Sequence, residues 1–101
     1  MRNMHLTEGL FKRLVVRILG PLRELGETET LEVDVEPEMN LIEALGRLPE
    51  RLRERVLVHG GIAADLLVLV DGVELSCLES AEDIRVEDIG EIVLIPIIHG
   101  G

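Results

Sequence analysis

The sequence predicts an α+β fold in which a mixed sheet wraps around one main helix. Three observations predict it. Two strand-like segments open the chain and can pair as a hairpin. A stretch with helical spacing follows. Apolar segments bounded by turn signals close the chain, the last of them suited to lie parallel to the first.

Residues 13–19 (RLVVRIL) alternate weakly and are rich in β-branched types, which reads as a first strand. Gly20-Pro21 stops it, and residues 22–26 (LRELG) form a short connector of about one helical turn. Residues 28–36 (TETLEVDVE) alternate cleanly. Leu31, Val33 and Val35 share one face, and Glu32, Asp34 and Glu36 share the other. This is a half-buried antiparallel strand with a solvated acidic face.

Pro37 ends that strand. Asn40 and Glu43 have capping-box spacing, and Met39 can staple onto the first turn of a helix. Leu41, Ile42, Leu45 and Leu48 form an apolar stripe. Pro49 allows the helix to restart over residues 49–57, with Leu52 and Val56 inward. His59-Gly60-Gly61 then reads as a helix stop. Residues 66–70 (LLVLV) form a continuous apolar run, as expected for a central strand buried on both sides. Asp71-Gly72 is a two-residue hairpin signal. Residues 77–90 are polar and acidic, a loop with a turn of helix near 80–83. Residues 91–97 (EIVLIPI) form the last strand. The order of elements is that of a β-grasp, with residues 12–97 as its domain, residues 1–11 as a flexible leader and residues 98–101 as a flexible C-terminal Gly-Gly tail.

Composition excludes several function classes. The 101 residues are 47% hydrophobic, enough for one core and against wholesale disorder. With 20 acidic against 10 basic residues, the net charge of −10 argues against binding a phosphate backbone. Phe11 is the only aromatic ring, so no stacking platform for bases is available. Cys77 is alone, which excludes a disulfide or a cysteine metal cage within the chain. No apolar run approaches the ~18–20 residues of a membrane span, and no export signal is evident, so a cytoplasmic location is expected. No nucleophile–base pair, metal cluster or cofactor loop stands out. The expectation is therefore a protein that is not an enzyme and carries no cofactor or metal.

The chemistry is expected in the tail. Extended, residues 97–101 would project roughly 17 Å at about 3.3–3.6 Å per residue. Gly100 and Gly101 carry no side chains, so the tail could thread a narrow channel and present the Gly101 carboxylate to another protein's active site. A carboxylate is a poor electrophile until activated, and adenylation by ATP is the usual route. The sequence has no phosphate-cradling glycine loop with lysine, so a partner must supply that site.

Four segments carry a resemblance. RLVVRILGPLRELG resembles the first strand and following turn of the ubiquitin-like sulfur carriers, NLIEAL the start of their helix, and LLVLVDGVEL their central strand and turn. VEDIGEIVLIPIIHGG resembles their ending, an acidic turn, an apolar strand, a proline and Gly-Gly. That family comprises the molybdopterin synthase small subunit, the thiamine sulfur carrier and the ubiquitin-related modifier. Pro96 is similar to the molybdopterin branch, and Ile98-His99-Gly100-Gly101 to the ubiquitin-related modifier. Asp88-Ile89-Gly90-Glu91 departs by an extra Ile.

The resemblance implies an ATP-dependent activating enzyme of the ubiquitin-activating type, which adenylates Gly101. A sulfur donor bearing a persulfide then converts it to a thiocarboxylate. The acceptor would be a molybdopterin precursor, with the synthase large subunit as partner, or a tRNA base. The alternative is a protein modifier joined through Gly101 to target lysines. A plain interaction domain with an incidental Gly-Gly is the third reading. Gly100, His99, Ile98 and Ile97 are the expected recognition residues.

Other residues have blander roles. His99 suits recognition better than acid–base work, since a mobile tail cannot hold a base in position. Cys77 could accept a persulfide, but a small buried hydrophobe is the ordinary role of a free cysteine. Asp83, Glu87 and Asp88 read as loop solubility without metal-ligand spacing. Lys12 is the one lysine, so a modifier of this sequence would form single attachments or short chains.

Overall fold

The hydrophobic alternation of the sequence builds a five-stranded sheet in the order β2-β1-β7-β5-β6. A computed structural model describes residues 11–20 and 29–97. The expectations for residues 1–10, for the connector at 22–26 and for the tail at 98–101 lie outside the described residues. The strands are β1 (Lys12–Ile18), β2 (Thr30–Val35), β3 (Leu57–Val58), β4 (Gly61–Ile62), β5 (Leu66–Val70), β6 (Val73–Glu74) and β7 (Glu91–Pro96). The helices are α1 (Leu41–Leu45) and α2 (Glu50–Val56), and single 3₁₀ turns fall at Leu75–Cys77, Ala81–Asp83 and Val86–Asp88.

β1 and β2 pair antiparallel, with Leu14 opposite Val33. β7 lies parallel to β1, with Val16 opposite Ile92, and antiparallel to β5, with Val68 opposite Leu94. The expected hairpin and the expected parallel closure are both present. The crossover between them is split. Asn40 caps α1 through Oδ1, which accepts from Glu43 N at 2.8 Å, while Glu43 Oε1 accepts from Asn40 N at 2.9 Å. Gly46 follows α1, and Pro49 stands at the N-cap of α2. A proline fits there because the first helical N–H groups have no intrahelical acceptor.

One face of the sheet and the inner sides of both helices form a single core. Leu14, Val16, Ile18, Val35, Leu41, Leu45, Leu52, Val56, Ile92 and Leu94 are almost completely buried in it. Among the described residues no charged or polar residue is buried.

Two sequence expectations are corrected. β5 is not buried on both sides: Leu66, Val68 and Val70 face the core, while Leu67 and Leu69 are half-buried on the far face. The helices cover one side of the sheet only. β1 and β7 alternate in the same way despite their parallel pairing. His59-Gly60-Gly61 is not a helix stop. α2 ends at Val56, and Leu57 is already extended. His59 (φ 54°) and Gly60 (φ 80°) are instead the central pair of a tight hairpin joining β3 to β4, with Val58 opposite Gly61. Two successive positive φ angles are the mark of a type I′ turn, whose twist matches that of the strands. Asp71 (φ 50°) and Gly72 (φ 87°) build the same turn between β5 and β6, as expected.

Candidate functional site: the exit of the last strand

β7 leads toward the tail, and the sheet holds it from both sides. Ile92 and Leu94 point into the core and are fully buried. On the opposite face Val93 stands across from Leu69, and Ile95 across from Leu67. The entrance of the strand is clamped by two opposite charges. Lys12 Nζ donates to the carbonyls of Val86 at 2.6 Å and Glu87 at 3.0 Å, and to that of Ile89. The Asp71 carboxylate accepts from Gly90 N at 3.0 Å and Glu91 N at 2.9 Å, and the Asp71 N–H donates to the Glu91 carbonyl at 2.9 Å. An ammonium takes the carbonyls and a carboxylate takes the amides, so both polar rows of the entering backbone are satisfied.

At the exit, pairing with β1 ends while pairing on the β5 side continues. Leu19 N donates to the Leu94 carbonyl at 3.0 Å, the last bond from β1 to β7. In the parallel ladder the next donor would be the N–H of residue 96. Pro96 has none, so pairing with β1 stops there. Gly20 lies against the proline ring. A Cβ on it would meet Pro96 Cγ at 3.3 Å, and its φ of +69° also favours glycine. On the other side Ile97 N donates to the Asp65 carbonyl at 2.8 Å. Ile97 is the last described residue, and it is 42% exposed. Ile98, His99, Gly100 and Gly101 lie outside the described residues.

The far face of the sheet divides into two halves. Along β1 and β2 it is charged. Arg13 pairs with Glu32 at 3.4 Å and Asp34 at 3.3 Å, and Arg17 with Glu91 at 3.5 Å. Glu36 pairs with Arg47 at 3.5 Å. These exposed pairs contribute little stability, and they balance the acidic face internally. Along β5 and β7 the face is apolar: Leu67, Leu69, Val93 and Ile95 are half-buried, and among the described residues no helix covers them. Ile97 continues the alternation of Val93 and Ile95, so the apolar stripe runs along β7 to the point where the tail begins.

Other sequence expectations resolve differently. Cys77 is exposed, not buried. It ends the 3₁₀ turn Leu75–Cys77, in which Leu75 packs against the core and Ser76 and Cys77 face outward. Among the described residues no three His, Cys, Asp or Glu side chains come together as a metal site. Among them, too, no helix is long and apolar enough to cross a membrane.

No family model matches the chain, and no curated protein does. Solved structures do. Small archaeal modifier protein 1 (SAMP1) from Methanosarcina acetivorans is 21% identical with a TM-score of 0.70, covering 90% of this chain and 98% of that one. The Amycolatopsis orientalis BexX/CysO complex matches at 18% identity and TM-score 0.69, over 87% of this chain and 99% of the matched one. Urm1 from Trypanosoma brucei matches at 23% identity and TM-score 0.66, over 90% and 97%. The fold is the ubiquitin-like β-grasp.

In this β-grasp the sequence identified the last strand, which ends at Pro96, one residue before the expected end at Ile97. It missed the apolar half of the sheet face. The signal for that half was present in Leu67 and Leu69, but a continuous apolar run suggests burial on both sides unless the number of helical layers is known. It also missed the clamp, because Lys12 and Asp71 are far in sequence from the turn they hold.

Proposed function

We propose that the protein is a ubiquitin-like sulfur carrier acting through the carboxylate of Gly101. A partner enzyme joins that carboxylate to ATP, releasing pyrophosphate and leaving an acyl adenylate. A persulfide sulfur on a donor protein displaces AMP. A thiol then cleaves the resulting acyl disulfide, leaving a thiocarboxylate on the carrier and a disulfide on the donor. The thiocarboxylate donates its sulfur to a molybdopterin precursor or to a tRNA base. The protein is a co-substrate in these steps, and the enzymes provide the catalytic groups.

The observation that carries this reading is the exit of β7. Pro96 cuts the ladder to β1, Ile97 is exposed, and the sequence continues as Ile98-His99-Gly100-Gly101. A strand clamped at its entrance and freed from β1 at its exit suits delivery of a side-chain-free carboxylate to another protein. The apolar stripe of Leu67, Leu69, Val93 and Ile95 is the surface on which the activating enzyme would dock, since it leads to the same exit. The second reading, a modifier conjugated to target lysines, is favoured by the hydrophobic-His-Gly-Gly ending and by the likeness to a small archaeal modifier protein.

Intact-protein mass spectrometry tests both. With the activating enzyme, ATP and a sulfur donor, a carrier gains the mass of sulfur in place of oxygen at its C-terminus. Deletion of Gly101 should abolish the gain. Lysine adducts on other proteins without that gain would instead support the modifier, and activity that survives the deletion would defeat both readings.

A further inference from the structure

Lys12 is the only lysine in the sequence. Its amine is engaged: an ammonium has three N–H donors, and the carbonyls of Val86, Glu87 and Ile89 take all three. The acceptors are themselves fixed. Val86 and Ile89 are buried, Val86 N donates to the Met39 carbonyl at 3.0 Å, and Ile89 N donates to the Val86 carbonyl at 3.0 Å. Asp71 secures the next residues, Gly90 and Glu91. The cage therefore cannot follow the amine outward without opening the entrance of β7.

Isopeptide formation needs a neutral amine with a free lone pair. The nitrogen attacks the activated glycyl carbonyl, the new C–N bond forms, AMP or a thiol leaves, and the amine loses a proton to solvent. Inside the cage the three N–H groups are held on the carbonyls of Val86, Glu87 and Ile89, so the amine is not free to approach an acyl carbon. To react, it must break three charge-assisted hydrogen bonds, lose a proton and swing clear. We propose that this carbonyl cage withdraws Lys12 from amine chemistry. The protein then attaches singly to its targets and builds no lysine-linked chains of itself. The chain-length consequence rests on the modifier reading; the shielding of the amine does not.

Two measurements separate these. The protein carrying Arg51→Lys, a change on the exposed face of α2, is treated with an N-hydroxysuccinimide acetate and read by peptide mass spectrometry after Glu-C digestion. The amine at position 51 serves as an internal reference. Lys12 is expected to acylate at least about tenfold more slowly than position 51 in the native protein, and at a similar rate in urea. Equal rates in the native protein would overturn the cage. The second measurement incubates the unmodified sequence with its activating enzyme, ATP and candidate target proteins. Because Arg85 is the last trypsin site, conjugates yield branched peptides carrying residues 86–101. Such peptides are expected on other proteins and not on Lys12, and a branch on Lys12 overturns the inference. Slow acylation of Lys12 with no branched peptide on any lysine supports the cage and overturns the modifier reading instead.

Discussion

Asp71 does three things at one position. It adopts a positive φ in the turn to β6, its N–H bonds to the Glu91 carbonyl, and its carboxylate takes the N–H groups of Gly90 and Glu91. Aspartate tolerates the left-handed region better than most residues, because its short polar chain bonds locally. Replacing it should separate these roles. Asp71→Ala removes the acceptor and retains the strained backbone, and should cost about 1–3 kcal/mol in urea denaturation. Asp71→Asn keeps an oxygen in the place of Oδ1, which accepts from both amides, and should cost clearly less. Equal losses would contradict the accepting role of the side-chain oxygen at the entrance of β7. At this scale some residues were legible in the sequence and some were not. Asp71-Gly72 was readable as a hairpin turn. His59-Gly60 is the same device, yet it reads as a helix stop, since a glycine after a helical pattern serves both purposes. Only the pairing of Leu57 with Ile62, made downstream, decides between them. Cys77 was misread for a related reason: nothing local says which way a one-turn helix points its last side chain.

The elements show why short pieces need tertiary support. α1 has five residues, far below the length at which an isolated helix persists. It stands because Leu41, Ala44 and Leu45 are buried and because the reciprocal Asn40–Glu43 cap satisfies amides at its start. With so few turns the cap has no redundancy. Asn40→Ala should lower stability by about 1 kcal/mol, and Asn40→Asp should restore most of it, as measured by thermal unfolding. A loss confined to Asn40→Asp would contradict the capping role. The cap was legible because its two residues sit at a fixed spacing within one helix turn. The strand class of residues 66–70 was legible for the same local reason. Its environment was not. An apolar run records that both faces avoid water without saying whether a helix layer or another molecule covers the second face. Pro96 lies between these cases. Its lack of an N–H is obvious in the sequence, but its effect depends on β1 ending alongside it, at Leu19 and Gly20.

Across the whole molecule the two faces of β7 have different fates, and this yields the sharpest contrast. The inward face is core: Leu94 is fully buried beneath the helices. Leu94→Ala should leave a cavity and cost about 2–5 kcal/mol in denaturant unfolding. The outward face carries Ile95, half-buried beside Leu67 and in line with exposed Ile97. Among the described residues the helices fold over the first face alone. Ile95→Thr combined with Leu67→Thr removes apolar area. At position 95 it keeps β-branching, and at both it keeps strand propensity, so stability should stay within about 1 kcal/mol. If the activating enzyme docks on the stripe, each lost side chain withdraws part of the ~1.5–3 kcal/mol that full burial contributes, and kcat/KM for adenylation should fall at least about tenfold. The drop should appear mainly in KM, since the reacting carboxylate is untouched. A double variant that unfolds like the parent and is adenylated at the parent's rate would place the docking surface elsewhere. The charged half of the same sheet face, balanced among Arg13, Glu32 and Asp34, would then be the next surface to test, and its involvement would show as a rate that falls with ionic strength.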